Sequence, residues 1–364
     1  MATHPAVVTT APRAPLSIRH VPTVVCAADE VRVRVDWTAT TPFDLHQADG
    51  GLVVTHGVLG SSYAGVVIEL GVDVRDLSIG SKVFGFGFRG QQEHAFQLFV
   101  TVPMYLCGEI PSTIAPSAAV TIPDSFATAV HSVTAALHIP LPWPVPGHPP
   151  ANADTLILIW GAASSAGTVT LQVLVHWGYR NVLATASPHH HVRLRELGAA
   201  AVFDYRDTDC VEQILETARM GRSEAPSIPL VLDCIGSVTG SIRPIARLTE
   251  AGTRVAVLLP VVIRAPSTDE LPEYAMEVAG KAVFAEGVSV EGVRTHAYLE
   301  NGELKARMQS EMMPALMAVG AVGPLSSTVV EGASLLERAE RALAIMRDGI
   351  SRQRLVWQVS GEGE

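Results

Sequence analysis

The stretch with the most chemical content is Leu156-Ile-Leu-Ile-Trp-Gly-Ala-Ala-Ser-Ser-Ala-Gly-Thr-Val-Thr. A buried strand runs into a turn of small residues, Gly161, Ala162, Ala163, Ser164, Ser165, Ala166 and Gly167, and a helix starts at once. Small residues let a backbone approach a pyrophosphate closely, and a helix N-terminus offers N–H groups carrying partial positive charge. Ser164, Ser165 and Thr168 add hydroxyl donors. Only two glycines remain of the usual three, so the turn by itself fits any strand–helix junction of an α/β protein. Strand, helix and next strand together point to dinucleotide binding.

The second strand selects the dinucleotide. NAD sites place an acidic residue there to accept from the ribose 2′-hydroxyl. Here the strand ends Ala184-Thr-Ala-Ser-Pro-His-His-His-Val-Arg-Leu-Arg, with no Asp or Glu before Glu196. Ser187, His189, His190, His191, Arg193 and Arg195 supply the donors and positive charge that a 2′-phosphate attracts, which favours NADPH. A metal is the competing reading of the histidine triplet. Consecutive helical side chains point about 100° apart and do not converge on one ion unaided.

These residues need elements to hold them. Up to about residue 138 the chain is β-rich, as in Glu30-Val-Arg-Val-Arg-Val-Asp, which alternates with period two. Tyr63-Ala-Gly-Val-Val-Ile-Glu-Leu-Gly and Ser81-Lys-Val-Phe-Gly-Phe-Gly read as further short strands, and Ala115–Ala136 as helical with a break at Pro123. Residues 139–150 hold six prolines, forming either a stiff inter-domain connector or a surface insertion loop. Beyond them strands and helices alternate: strands at 156–160, 181–186, 201–203, 230–234 and 255–259, helices at 169–177, 189–197, 210–219 and near 242–249. That order predicts a doubly wound parallel sheet. The chain closes with a helix over Leu335–Arg347 and an apolar strand from Arg354.

With 364 residues the chain is long enough for two domains. A net charge of −10 without a Lys/Arg-rich block speaks against nucleic acid and anionic membranes, and an acidic partner would need a locally basic patch. Cys26, Cys107, Cys210 and Cys234 form no CxxC pair and read as reduced thiols of a cytoplasmic protein without a cysteine metal site. The N-terminus has no signal-peptide layout, and no apolar run spans a bilayer.

The turn, Ala-Thr-Ala-Ser-Pro-His at 184–189, Leu-Gly-Ala at 197–199 and Val-Phe-Asp-Tyr-Arg-Asp at 202–207 carry a family likeness. So do Leu-Asp-Cys-Ile at 232–235, Phe-Ala-Glu-Gly at 284–287 and Ser-Arg-Gln-Arg-Leu-Val at 351–356. Together they resemble the zinc-free medium-chain dehydrogenase/reductase superfamily, and within it the trans-acting enoyl reductases that serve fungal polyketide synthases. The resemblance implies a GroES-like catalytic domain from residues 1–148 and 288–364, a Rossmann domain over 149–287, and an active site in the cleft. It implies NADPH hydride transfer to the β-carbon of an α,β-unsaturated polyketide thioester on an acyl carrier protein. Ser164, Ser165, Ser187 and Tyr205 would contact NADPH, with Cys234, Ile235, Leu258 and Glu286 completing the cofactor set.

The same resemblance locates the catalytic cleft. The segments that hold zinc in alcohol dehydrogenases of the superfamily read Thr41-Pro-Phe-Asp-Leu-His and Leu59-Gly-Ser-Ser-Tyr-Ala-Gly, without the Cys and Gly-His-Glu ligands. Hydrogen-bond donors would then stabilise the enolate. The candidates are His46, Tyr63 and Thr128; a surface histidine and a barrel-packing tyrosine are the plain alternatives for the first two. Gly-Ser-Ser-Tyr, Gly-Ser-Lys and Ser-Arg-Gln-Arg depart from the family's usual residues, as do His189 and His190. Three other functions therefore stay open: a non-redox isomerase or cyclase moving protons through His46 or His131, a catalytically silent subunit, and a generic quinone or enone reductase.

Overall fold

The structure, a computed structural model, describes residues 2–50, 52, 56–220, 226–267, 270–349 and 353–360; Ser351 and Arg352 of the terminal resemblance lie outside them. The chain divides into two compact units: Met1–Ala127 with Pro266–Pro272 and Leu299–Glu364, and Thr128–Ala265 with Glu273–Tyr298. No helix among the described residues is long and apolar enough to cross a membrane. All four cysteines are free thiols.

The first unit is built on a seven-stranded sheet in which Glu30–Thr40 pairs antiparallel with Ser62–Leu70, Phe99–Pro103 and the C-terminal Arg354–Gln358. Val31, Val33 and Val35 are fully buried, so the alternation in sequence is a buried face in space. The C-terminal strand is tied to this sheet through Trp357, whose ring lies edge-on to Phe96 at 4.6 Å and whose Nε1 donates to Thr40 Oγ1 at 2.9 Å. Buried Gln309 extends the tie, accepting from the Phe86 N–H at 2.6 Å and donating to the Phe86 carbonyl at 3.0 Å.

The second unit holds six parallel strands: β1 (Ile157–Trp160), β2 (Val182–Thr185), β3 (Ala201–Phe203), β4 (Leu230–Asp233), β5 (Arg254–Leu258) and β6 (Ser289–Val293). Helices α1 (Ser165–His176), α2 (His191–Glu196), α3 (Cys210–Arg219) and α4 (Arg243–Leu248) connect the first five. The order β3-β2-β1-β4-β5-β6 reverses direction between β1 and β4, the switch point outside whose carboxyl ends such sheets bind ligands. Leu158, Trp160, Val231, Val255 and Val257 belong to the core, which Val211, Ile214 and Ala218 of α3 cover from one side.

Two boundaries differ from the sequence reading. The proline stretch lies inside the second unit, where Trp177 Nε1 donates to the Pro142 carbonyl at 3.1 Å, so it is a packed loop and not an inter-domain connector. The second unit also continues to Tyr298, past the expected end at 287. Residues 289–293 supply the edge strand β6, with only one face inward, and its alternating polar residues conceal it in the sequence.

Candidate active site

The predicted turn sits at the carboxyl end of β1. Gly161 has φ +79°, and a Cβ on it would lie 2.5 Å from Ile235 Cδ1. A Cβ on Gly167 would come within 2.6 Å of the Gly161 carbonyl oxygen and 2.7 Å of Ala162 Cα, so its absence lets α1 press onto the strand. Ser164 caps α1, its Oγ accepting from the Gly167 N–H at 3.1 Å. Thr168 Oγ1 donates to the Ala162 carbonyl at 3.0 Å. Ser164 and Thr168 thus shape the turn with the hydroxyls that sequence reasoning assigned to ligand. Ala163, Ser165 and Ala166 remain partly exposed at the helix start, where the first N–H groups have no intrahelical acceptor. Thr185, missed in the sequence, staples the turn to β2: its Oγ1 accepts from the Gly161 N–H at 2.9 Å and its carbonyl from Ala162 at 3.0 Å.

At the ends of β2 and β3 the polar set converges. Ser187 Oγ and Tyr205 Oη are 3.3 Å apart, and the His189 and His190 rings lie 4.1 Å apart. His191 Nε2 bonds the Ala186 carbonyl at 2.9 Å and therefore faces inward. Arg193 lies on the exposed side of α2 within 3.5 Å of Glu196. Arg206, which sequence reasoning did not single out, extends over the Tyr205 ring at 5.9 Å and is paired with Asp204 at 3.0 Å. Its signal was the Asp-Tyr-Arg run itself.

Cys234 and Ile235 follow β4, and Leu258 ends β5, so all three share this edge. The Cys234 N–H donates to the Trp160 carbonyl at 3.0 Å, while burial pushes its thiol pKa up. Glu286 does not join them. Parallel register sets Ser289 beside Arg254, the first residue of β5, and Gly287 accepts from the Gly252 N–H at 3.0 Å. Glu286 therefore stands at the amino edge of the sheet, opposite the site, and leaves the cofactor set. At the carboxyl edge the end of β6 brings Thr295, whose Oγ1 lies 3.0 Å from Thr128 Oγ1.

The remaining candidates separate by environment. Tyr63 is fully buried, its hydroxyl donating to the Leu106 carbonyl at 2.8 Å and lying 3.0 Å from Cys107 Sγ. Gly85 makes room for it: a Cβ there would lie 2.5 Å from Tyr63 Oη. Tyr63 packs the core of the first unit and is not a donor to substrate. His46, in the helix Pro42–Gly50 of the first unit, is mostly buried; desolvation lowers its pKa to about 4 against an opposing pull from Asp49. Its imidazole is neutral at physiological pH and can donate one N–H. His131 is buried one turn beyond Thr128, where the helix widens and Ser132 Oγ donates to the Thr128 carbonyl at 2.6 Å.

Asp44, in the first of the two segments that hold zinc in relatives, is committed to protein donors. It accepts from the Thr41 N–H at 2.7 Å and the Gly60 N–H at 2.9 Å, with burial raising its pKa to about 6. Among the described residues no group of three His, Cys, Asp or Glu side chains is placed to hold a metal ion.

Residues 27–120 match the alcohol dehydrogenase GroES-like domain family. Over 339 residues the chain is 28% identical to the trans-enoyl reductase himH of Aspergillus japonicus, covering 91% of this chain and 90% of that protein. It is 31% identical over 256 residues to the trans-enoyl reductase tndF of Aspergillus flavipes, covering 66% of this chain and 69% of the relative. The chain belongs to the trans-enoyl reductase family. Membership makes it an oxidoreductase of the medium-chain dehydrogenase/reductase superfamily with a nicotinamide nucleotide as cofactor. The CurK enoyl reductase has the same fold, with a TM-score of 0.73 at 18% identity, covering 98% of this chain and 99% of that one.

Proposed function

We propose that this chain is a trans-acting, zinc-independent enoyl reductase that prefers NADPH and acts on α,β-unsaturated polyketide thioesters carried by an acyl carrier protein. The observation that carries the cofactor choice is the Ser187–Tyr205 contact at the ends of β2 and β3, flanked by His189 and His190, where an NAD site needs a carboxylate. The cradle fits the nucleotide: Gly161 and Gly167 let the turn pack closely against Ile235 and α1 against the strand, and the start of α1 faces the same edge. When bound, NADPH supplies a hydride for the substrate β-carbon.

The chain's own residues then have limited tasks. The turn 161–167 receives the pyrophosphate, and Ser187, Tyr205 and the adjacent basic side chains receive the 2′-phosphate. Ile235 and Leu258 supply apolar walls. The thioester oxygen gains negative charge as its β-carbon is reduced, and preorganised donors stabilise that charge without reorganising. Thr128, oriented by Thr295, is the candidate donor. A histidine whose pKa is held near 4 is a weak base at neutral pH, which counts against the isomerase alternative through His46.

The test is NADPH oxidation with a short α,β-unsaturated N-acetylcysteamine thioester, a carrier-protein-bound enoyl thioester and a quinone. Saturated thioester formed in step with NADPH consumed, fastest on the carrier, supports the proposal. Turnover of the quinone alone, or thioester conversion without NADPH, contradicts it.

A further inference from the structure

Asp233 is a buried carboxylate at the nucleotide edge that has no assigned task. It ends β4 and has no exposed surface. Its Oδ1 accepts the N–H groups of both Ile235, at 2.9 Å, and Gly236, at 3.0 Å, while its Oδ2 accepts the Ser241 hydroxyl at 2.6 Å. Burial pushes its pKa up to about 6 despite these three bonds. A carboxylate held in such surroundings is unfavourable unless its hydrogen-bond partners are fixed.

The partners define a shape. Two successive amides directed at one oxygen fold the chain back on itself after β4. Gly236 takes φ +63° there, and a Cβ on it would meet the Leu258 carbonyl oxygen at 2.6 Å. Ser241 links the fold to the next helix, accepting from the Ser237 N–H at 2.9 Å. The folded turn presents Ile235, which is 44% exposed, with Cδ1 only 2.5 Å from where a Gly161 Cβ would stand. Side chain and glycine fit one another at the switch point between β1 and β4.

From this geometry we infer that Asp233 is a positioning residue for the nicotinamide nucleotide: its carboxylate folds the Cys234–Gly236 turn so that Ile235 forms a wall of the cofactor seat against Gly161. The inference rests on the nucleotide-binding reading of that seat. Asp233 acts through Ile235 and makes no contact with the reacting atoms.

Calorimetric NADPH affinities of the wild type, Asp233→Ala, Asp233→Asn, Ile235→Ala and the Asp233→Ala/Ile235→Ala double variant test it. Asp233→Ala and Ile235→Ala each weaken binding about tenfold, and the double variant weakens it no further, because both remove the same wall. Asp233→Asn keeps an acceptor for both amides and stays within about threefold of wild type. Losses that multiply in the double variant, or an Asp233→Ala protein that binds like wild type, overturn the inference while leaving the cofactor reading intact. If Asp233→Ala does not fold, Ser241→Ala takes its place in the same cycle, with a smaller loss that again does not multiply with Ile235→Ala; multiplication overturns the inference. A wild type that binds neither NADPH nor NADH overturns both.

Discussion

Ser187 and Tyr205 meet with their hydroxyl oxygens 3.3 Å apart at the carboxyl ends of neighbouring parallel strands. Eighteen positions separate them in the chain. Register brings them together, since Phe203, the last residue of β3, pairs with Thr185, the last of β2, and Ser187 and Tyr205 each lie two residues beyond. In the proposed cofactor seat, an acidic side chain in place of this pair would repel a phosphate and accept from a ribose hydroxyl.

Replacing Ser187 with Asp therefore reverses the preference. NADPH affinity falls by about tenfold to a hundredfold, the scale of losing a charge-assisted bond and adding like-charge repulsion, while NADH affinity rises. Titration of both nucleotides into Ser187→Asp checks this; unchanged NADPH affinity argues against the pair as the phosphate site.

Much of this arrangement was legible in the sequence, for identifiable reasons. β1, β2, β4 and β5 are buried on both faces and read as continuous apolar runs, and the small residues of 161–167 announce a tight strand–helix turn. The edge strand β6 alternates Ser289, Val290, Glu291, Gly292 and Val293, and it could not be told from a loop. That one omission moved the domain boundary and misplaced Glu286, whose side of the sheet depends on strand direction. Tyr63 was equally opaque, because its partner is a backbone carbonyl 43 residues away. Thr185 acts through a contact with Gly161, 24 positions away in the chain, that no local pattern displays.

Gly167 tests the cradle sterically. Alanine there places a Cβ 2.6 Å from the Gly161 carbonyl oxygen, so α1 must move off the strand. The expected cost is about 1–3 kcal/mol of stability, together with weakened nucleotide binding. Urea unfolding and calorimetry on Gly167→Ala measure the two; full retention of both contradicts the close packing.

Thr128 and Thr295 share a hydroxyl contact of 3.0 Å at the end of β6. If Thr128 donates to the developing oxyanion, Thr128→Val lowers kcat by about a hundredfold and leaves NADPH affinity unchanged. A fall in NADPH affinity with kcat preserved would instead make Thr128 part of the cofactor seat.

His46 gives a pH signature. Its folded pKa, about 4, lies below its ordinary value, so the unfolded chain binds the extra proton between these limits. Stability from keeping His46 neutral is present above about pH 6.5 and is lost as pH falls toward 4, amounting to about 3 kcal/mol. Subtracting the urea-unfolding free energies of His46→Gln from those of wild type across this range isolates the effect. A pH-independent difference contradicts it.

The most direct test of the central claim is calorimetric titration of the wild-type protein with NADPH and with NADH under identical buffer and salt. Tight one-to-one binding of NADPH, with NADH weaker by about tenfold or more, is the expected result. Equal affinities would contradict recognition of the 2′-phosphate by Ser187 and Tyr205, and no affinity for either nucleotide would contradict the site itself.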